Sequence, residues 1–101
     1  MRKVVKFNFS DSSEVKTLDP KLKSAYEENN KVKFIFDMTD LSFCDTSYIL
    51  KTIALIEKYK IHEHKLECID IVCPESHTMK RFLINKCIGM FNISKPVYLV
   101  E

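Results

Sequence analysis

The chain has 101 residues, 46% of them hydrophobic and 30% charged, with 16 basic residues set among 14 acidic ones. That length and mix describe one globular domain with its own core and argue against a disordered segment. The near balance of dispersed charge leaves no electrostatic footprint for nucleic acid, and no apolar run approaches the ~20 residues that cross a bilayer.

The first residues, Met-Arg-Lys-Val-Val-Lys, show no apolar leader and no cleavage site, so a cytoplasmic protein without direct membrane insertion is expected. Residues 3–9 alternate apolar and polar side chains well enough for a strand with one covered face. Ser10-Asp-Ser-Ser13 is a turn by composition, and 14–18 read as a short return strand that would complete a hairpin. Asp19-Pro20 marks a helix start, because Asp can cap free N–H groups and Pro tolerates the first helical position. Leu22, Ala25 and Tyr26 then recur at helical spacing, and Asn29-Asn30 ends the helix.

Residues 32–38, Val-Lys-Phe-Ile-Phe-Asp-Met, form a nearly unbroken apolar run, the pattern of a parallel strand buried on both faces. A loop over 39–44 follows, with Leu41 and Phe43 expected to point inward. From about Thr46 to Lys60 the apolar residues Ile49, Leu50, Ile53, Ala54 and Ile56 describe a helix with a wide sheet-facing side. Residues 61–65 are a polar connection, and 66–73 a second apolar strand closed by Pro74. Ser76 is placed to cap a third helix, whose inward face is read as Met79, Phe82, Leu83 and Cys87. Gly89, the single glycine, stands where a left-handed helix end is expected. Phe91 and Ile93 lead on to Val97-Tyr-Leu-Val100, a final edge strand with Pro96 at its start. Strands alternating with helices in this way build a largely parallel sheet with right-handed crossovers.

The polar residues that could carry chemistry are few. With one glycine there is no glycine-rich phosphate loop. Cys44, Cys68, Cys73 and Cys87 show no Cys-x-x-Cys spacing and read as reduced core residues. His62 and His64 flank Glu63, but a metal site needs further ligands and none stands nearby, so solvated side chains are the expectation. His77 reads as structural or exposed. Cys44 beside Asp45 would need a base to act as a nucleophile, and an apolar loop residue is the simpler reading. Lys80, Arg81 and Lys86 give the third helix a basic side, by default a solvated one. Asp37, near a strand end, is placed to hold the following loop by accepting backbone hydrogen bonds.

The stretch Val-Lys-Phe-Ile-Phe-Asp-Met-Thr-Asp-Leu-Ser-Phe-Cys-Asp-Thr-Ser-Tyr (32–48) resembles the central signature of STAS domains, the sulfate-transporter and anti-sigma factor antagonist family. The family pattern is an apolar strand ending in Asp-Leu-Ser, a short gap, an apolar pair, and Asp-Ser-Ser-Gly opening a helix. Asp37-Met-Thr and Phe43-Cys44-Asp45-Thr46-Ser47 fall in matching places. The upstream Leu18-Asp19 and the downstream Phe91-Asn-Ile93 match in order and spacing, so the likeness spans nearly the whole chain. Tyr48 departs from the pattern, standing where the family has glycine.

The resemblance implies a mixed, mostly parallel α/β sheet of four or five strands with helices mainly on one face, in the order β-β-α-β-α-β-α-β. It implies a non-catalytic protein-binding regulator without cofactor, whose partner is a kinase-type anti-sigma factor; stand-alone members also dock on membrane transporter complexes. In the antagonist branch a serine at the start of the second helix is phosphorylated by that partner kinase, which breaks the complex; the position falls on Ser47. Asp45, Thr46, Tyr48 and Lys51 would line the partner interface with the loop before them. A phosphate at that point would lie near free N–H groups and the positive end of the helix dipole. Its added charge of about −1.5 to −2 would disrupt an interface packed around the helix. The bland reading of Ser47 is a residue that merely satisfies those N–H groups.

Overall fold

In the computed structural model, residues 2–9, 16–39, 46–89 and 95–100 are described, without the side chains of residues 2, 46–49, 80, 83, 87 and 88. The elements run β1 (Arg2–Asn8), α1 (Leu18–Glu28), β2 (Lys31–Asp37), α2 (Thr46–Lys58), a 3-10 helix (Lys60–Lys65), β3 (Leu66–Val72), α3 (Thr78–Ile88) and β4 (Val97–Val100). The four strands form one sheet in the order β1-β2-β3-β4, and every neighbouring pair is parallel. The chain is therefore an α/β domain with an all-parallel sheet among the described residues.

The hairpin expected over 14–18 is corrected at its described end. Leu18 opens α1, and β1 pairs directly and in parallel with β2. Leu18 is needed in the core, where it lies buried beside Leu22, and a helix placed there can bury both residues at once. Glu14 and Val15 lie outside the described residues. Asp19 and Pro20 sit in the first turn of α1, as their residue types favour. Asn29 ends the helix in extended conformation, and its side-chain amide donates to the Ala25 carbonyl at 2.9 Å.

A sheet whose strand order follows the chain steps one strand over at each crossover. Crossovers of one hand then lay all the helices on one face. The packing agrees. Tyr26 of α1 meets Phe34 edge-on at 5.6 Å, and Ile53 and Ile56 of α2 and Ile84 of α3 share one buried cluster with Phe7, Phe34, Phe36, Ile69 and Ile71. Aromatic rings form the centre of that cluster: Phe36 stands 5.7 Å from Phe7 and 5.5 Å from Phe9, the latter edge to face. Such contacts add about 0.5–1.5 kcal/mol each beyond the area they bury.

The strand β2 was expected to be buried on both faces. It instead alternates: Val32, Phe34 and Phe36 are buried, while Lys33, Ile35 and Asp37 are half-buried on the other side. With the described helices on one face only, no described element packs over the other. Lys33 and Asp37 are the residues in the run that tolerate this.

The helix α3 is turned relative to its expected phase. Ile84 is 1% exposed, whereas Met79 and Phe82 are 73% and 53% exposed. The Arg81 guanidinium, three residues before Ile84, reaches the Cys73 carbonyl at 3.0 Å. That hydrogen bond and Ile84 together set which side of α3 faces the sheet. Leu83 and Cys87 have side chains outside the description. The helix also starts later than expected, at Thr78; Ser76 lies exposed in the turn before it. Gly89 is not left-handed, and its N–H donates to the Asn85 carbonyl at 3.2 Å, continuing the helical pattern. Phe91 and Ile93 lie outside the described residues. Pro96 stands before β4, where its carbonyl accepts from Ile69 N at 3.1 Å.

Candidate functional site

The carboxyl ends of the strands are levelled by a row of equivalent bonds. Phe9 N donates to the Asp37 carbonyl at 2.8 Å, Met38 N to the Val72 carbonyl at 2.9 Å, and Cys73 N to the Val100 carbonyl at 2.9 Å. The connections after β1, β2 and β3 therefore leave the sheet side by side. In open α/β sheets this is the edge where functional groups gather.

Asp37 is the last residue of β2 and acts as the loop holder expected of it. Its Oδ1 accepts from Thr39 N at 3.0 Å, a local turn that Asp favours. Its other oxygen stands 3.6 Å from the Lys6 ammonium. Burial pushes the Asp37 carboxyl up, but the Thr39 hydroxyl and N–H and the Lys6 charge outweigh it and hold the group below its ordinary value. Asp37 is thus an anionic anchor at neutral pH.

Beyond that anchor the chain returns as α2. Thr46, Ser47 and Tyr48 are its first three helical residues, so Ser47 lies in the first turn, where backbone N–H groups have no helical partner. Lys51 is exposed one turn further on. Asp45, Cys44 and the loop residues Leu41 and Phe43 lie outside the described residues. Leu50 is exposed as well, so the described start of α2 presents an apolar and a basic side chain in succession.

Sequence reasoning missed a second polar cluster. Asp19 in α1 accepts from Lys58 Nζ at 2.9 Å and from the Tyr59 hydroxyl. The cluster lines an open cleft of about 530 Å³ with Pro20 and Lys23. The Tyr59 hydroxyl, and after it Lys58, holds the Asp19 carboxyl below its ordinary value; the same bond from the other side raises Tyr59. Tyr59 therefore keeps its proton and serves as a donor, which removes it as a base at neutral pH. The cluster is a clamp between helices. Its residues lie about 40 positions apart in the chain, and Asp19 had an adequate local role as a helix starter, so no sequence signal pointed to the pairing.

The histidines have separate surroundings. His62 stacks on Tyr26 with ring centres 5.6 Å apart, while His64 is exposed. His77 N donates to the Pro74 carbonyl at 2.9 Å and His77 O receives from Arg81 N, so its backbone forms the turn into α3. Among the described residues no group of His, Cys, Asp and Glu is arranged to hold a metal ion. Cys73 is buried and Cys68 half-buried. On α3, Lys86 lies 4.7 Å over the Phe82 ring. No helix among the described residues is long and apolar enough to cross a membrane.

Comparison of the chain with known protein families, with characterised proteins and with solved structures finds no match.

Proposed function

We propose that this chain is a STAS-type regulatory domain that binds another protein without chemistry of its own, as an anti-sigma factor antagonist does, and that phosphorylation of Ser47 switches the binding. The reading is carried by one observation. A strand buried on its helix-facing side, β2, ends in an anchoring carboxylate at the carboxyl edge of the sheet, and the next described element is a helix with Ser47 in its first turn.

Two further features support a binding surface over an active site. Among the described strands the order 1-2-3-4 never reverses, so they form no topological switch point, the place where open α/β folds form a ligand crevice. The shifted carboxylates Asp19 and Asp37 are tied up as anchors, and Tyr59 as a donor. The partner would cover the loop before α2 and the start of the helix, through Asp45, Thr46, Tyr48 and the exposed Lys51. A phosphate on Ser47 would place about two negative charges against that contact.

The test compares wild type with Ser47→Ala and Ser47→Asp in affinity recovery from the native cell, with intact mass read on the purified chain. Wild type and Ser47→Ala should recover a soluble ATP-binding kinase. Ser47→Asp should bind it at least about tenfold more weakly, from like-charge repulsion and desolvation. One phosphate should appear on wild type and vanish in Ser47→Ala. Equal recovery by all three forms, with no phosphate on wild type, refutes the switch. Recovery of a membrane permease in place of a kinase replaces the antagonist reading with docking on a transporter complex.

A further inference from the structure

Parallel sheets are almost always covered on both faces, yet the described helices of this chain cover one. The opposite face is laid out by the register. Its register positions, row by row, are Arg2 and Lys31; then Val4, Lys33 and Cys68; then Lys6, Ile35, Asp70 and Tyr98; then Asn8, Asp37, Val72 and Val100. Val4 is 48% exposed and Tyr98 52%, and Val100 is exposed with them.

The charges on this face have a definite pattern around Ile35. Lys33 and Asp37 lie above and below it on β2, and Lys6 and Asp70 lie to either side on β1 and β3. Lysines thus occupy two adjacent sides of Ile35 and aspartates the other two. Each lysine pairs diagonally with an aspartate: Lys33 with Asp70 at 3.1 Å, and Lys6 with Asp37 at 3.6 Å.

We propose that this open face binds a second copy of the chain, sheet against sheet, about a two-fold axis through Ile35. An axis lying in the interface along the diagonal that crosses both ion pairs exchanges Lys33 with Asp70 and Lys6 with Asp37. Each lysine of one copy then faces an aspartate of the other, and each ion pair meets its own twin as a ring of four alternating charges. The same operation sets Val4 over Val72 and Ile35 over Ile35, and it carries Tyr98 to the Lys31 position. Strands are ~4.8 Å apart and alternate residues ~6.8 Å apart along a strand, so the match is good to ~2 Å, within a lysine's reach. The two sheets would cross near a right angle, one of the two established ways that sheets pack.

The four charges around Ile35 cancel and their pattern is self-complementary, which fits a second copy of the chain; the charges set orientation more than affinity. Four strands of this length offer about 400 Å² per copy, below the about 800 Å² of a standard interface, so the dimer is weak and reversible.

Sedimentation velocity from about 5 to about 500 μM should show a monomer–dimer equilibrium within that range, the behaviour of a small interface. Lys33→Asp places two aspartates in opposition across the axis, and Asp70→Lys two lysines. Each variant alone should weaken dimerisation at least about tenfold, as expected of like charges brought face to face. An equimolar mixture of the two should recover to within about threefold of wild type, because the heterodimer restores both pairs. Circular dichroism of each variant checks the fold, and since both chains keep their own substitution in the mixture, recovery reports pairing between chains alone. Wild type that stays monomeric throughout overturns the proposal. So does a dimer that neither variant weakens, and so does a mixture that fails to recover.

Discussion

The phase of α3 can be tested by truncating two of its side chains, Ile84→Ala and Phe82→Ala. Ile84 is 1% exposed within the core cluster, so its truncation loses transfer free energy and leaves a cavity, about 3 kcal/mol within the usual range of about 2–5. Phe82 is more than half exposed, and its main described contact is the Lys86 ammonium over its ring. Its truncation removes an exposed cation–π contact and partial burial, together about 1 kcal/mol. A domain of this size is stable by about 5–10 kcal/mol, so the first change removes a large part and the second little. In urea unfolding followed by circular dichroism, with a slope of about 1.2 kcal/mol per M, the midpoint should fall by about 2.5 M for Ile84→Ala and by less than about 1 M for Phe82→Ala. Equal shifts, or a larger one for Phe82→Ala, would show that α3 faces the sheet with its Met79–Phe82 side and would refute the packing described.

Tyr26 is pushed up to about 12, by burial first and by the nearby Glu63 second. A raised value means stability present below about pH 10 and lost as pH rises toward 12, so alkaline denaturation should steepen in that window and flatten in Tyr26→Phe. Asp37 is shifted the other way: its contribution is present above about pH 4 and lost as pH falls through its depressed value, so Asp37→Asn should flatten the acid side of the stability profile while lowering stability at pH 7. Phe34→Ala, at the centre of the ring cluster with Phe7, Tyr26 and Phe36 around it, should cost about 4 kcal/mol and lower Tm by about 16–30 °C in calorimetry. Tyr59→Phe should leave the fold intact by circular dichroism and raise the Asp19 carboxyl toward its ordinary value by NMR titration, since the strongest bond holding it down is gone.

The linear order of elements was legible because strand and helix declare themselves over short windows. The run at 32–38 could only be a strand, Asp19-Pro20 only a helix start, and Asn29 an effective stop. The anchoring role of Asp37 and the place of Ser47 in the first turn of α2 were legible for the same reason: each depends on neighbours one to three residues away. What sequence alone left undecided depends on partners far along the chain. Whether β1 meets β2 directly, which side of α3 faces inward, and that Asp19 serves Lys58 and Tyr59 were decided when distant segments competed for the same core. Met79 and Phe82 satisfy helical periodicity as well as Ile84 does; the core place of Ile84 and a hydrogen bond from Arg81 to a carbonyl at the end of β3 together fix the inward side. The sheet face left uncovered by the described helices has the same origin. An apolar run reads alike whether one or two layers will cover it, and the number of layers is set by the path of the crossovers, which tertiary structure alone determines.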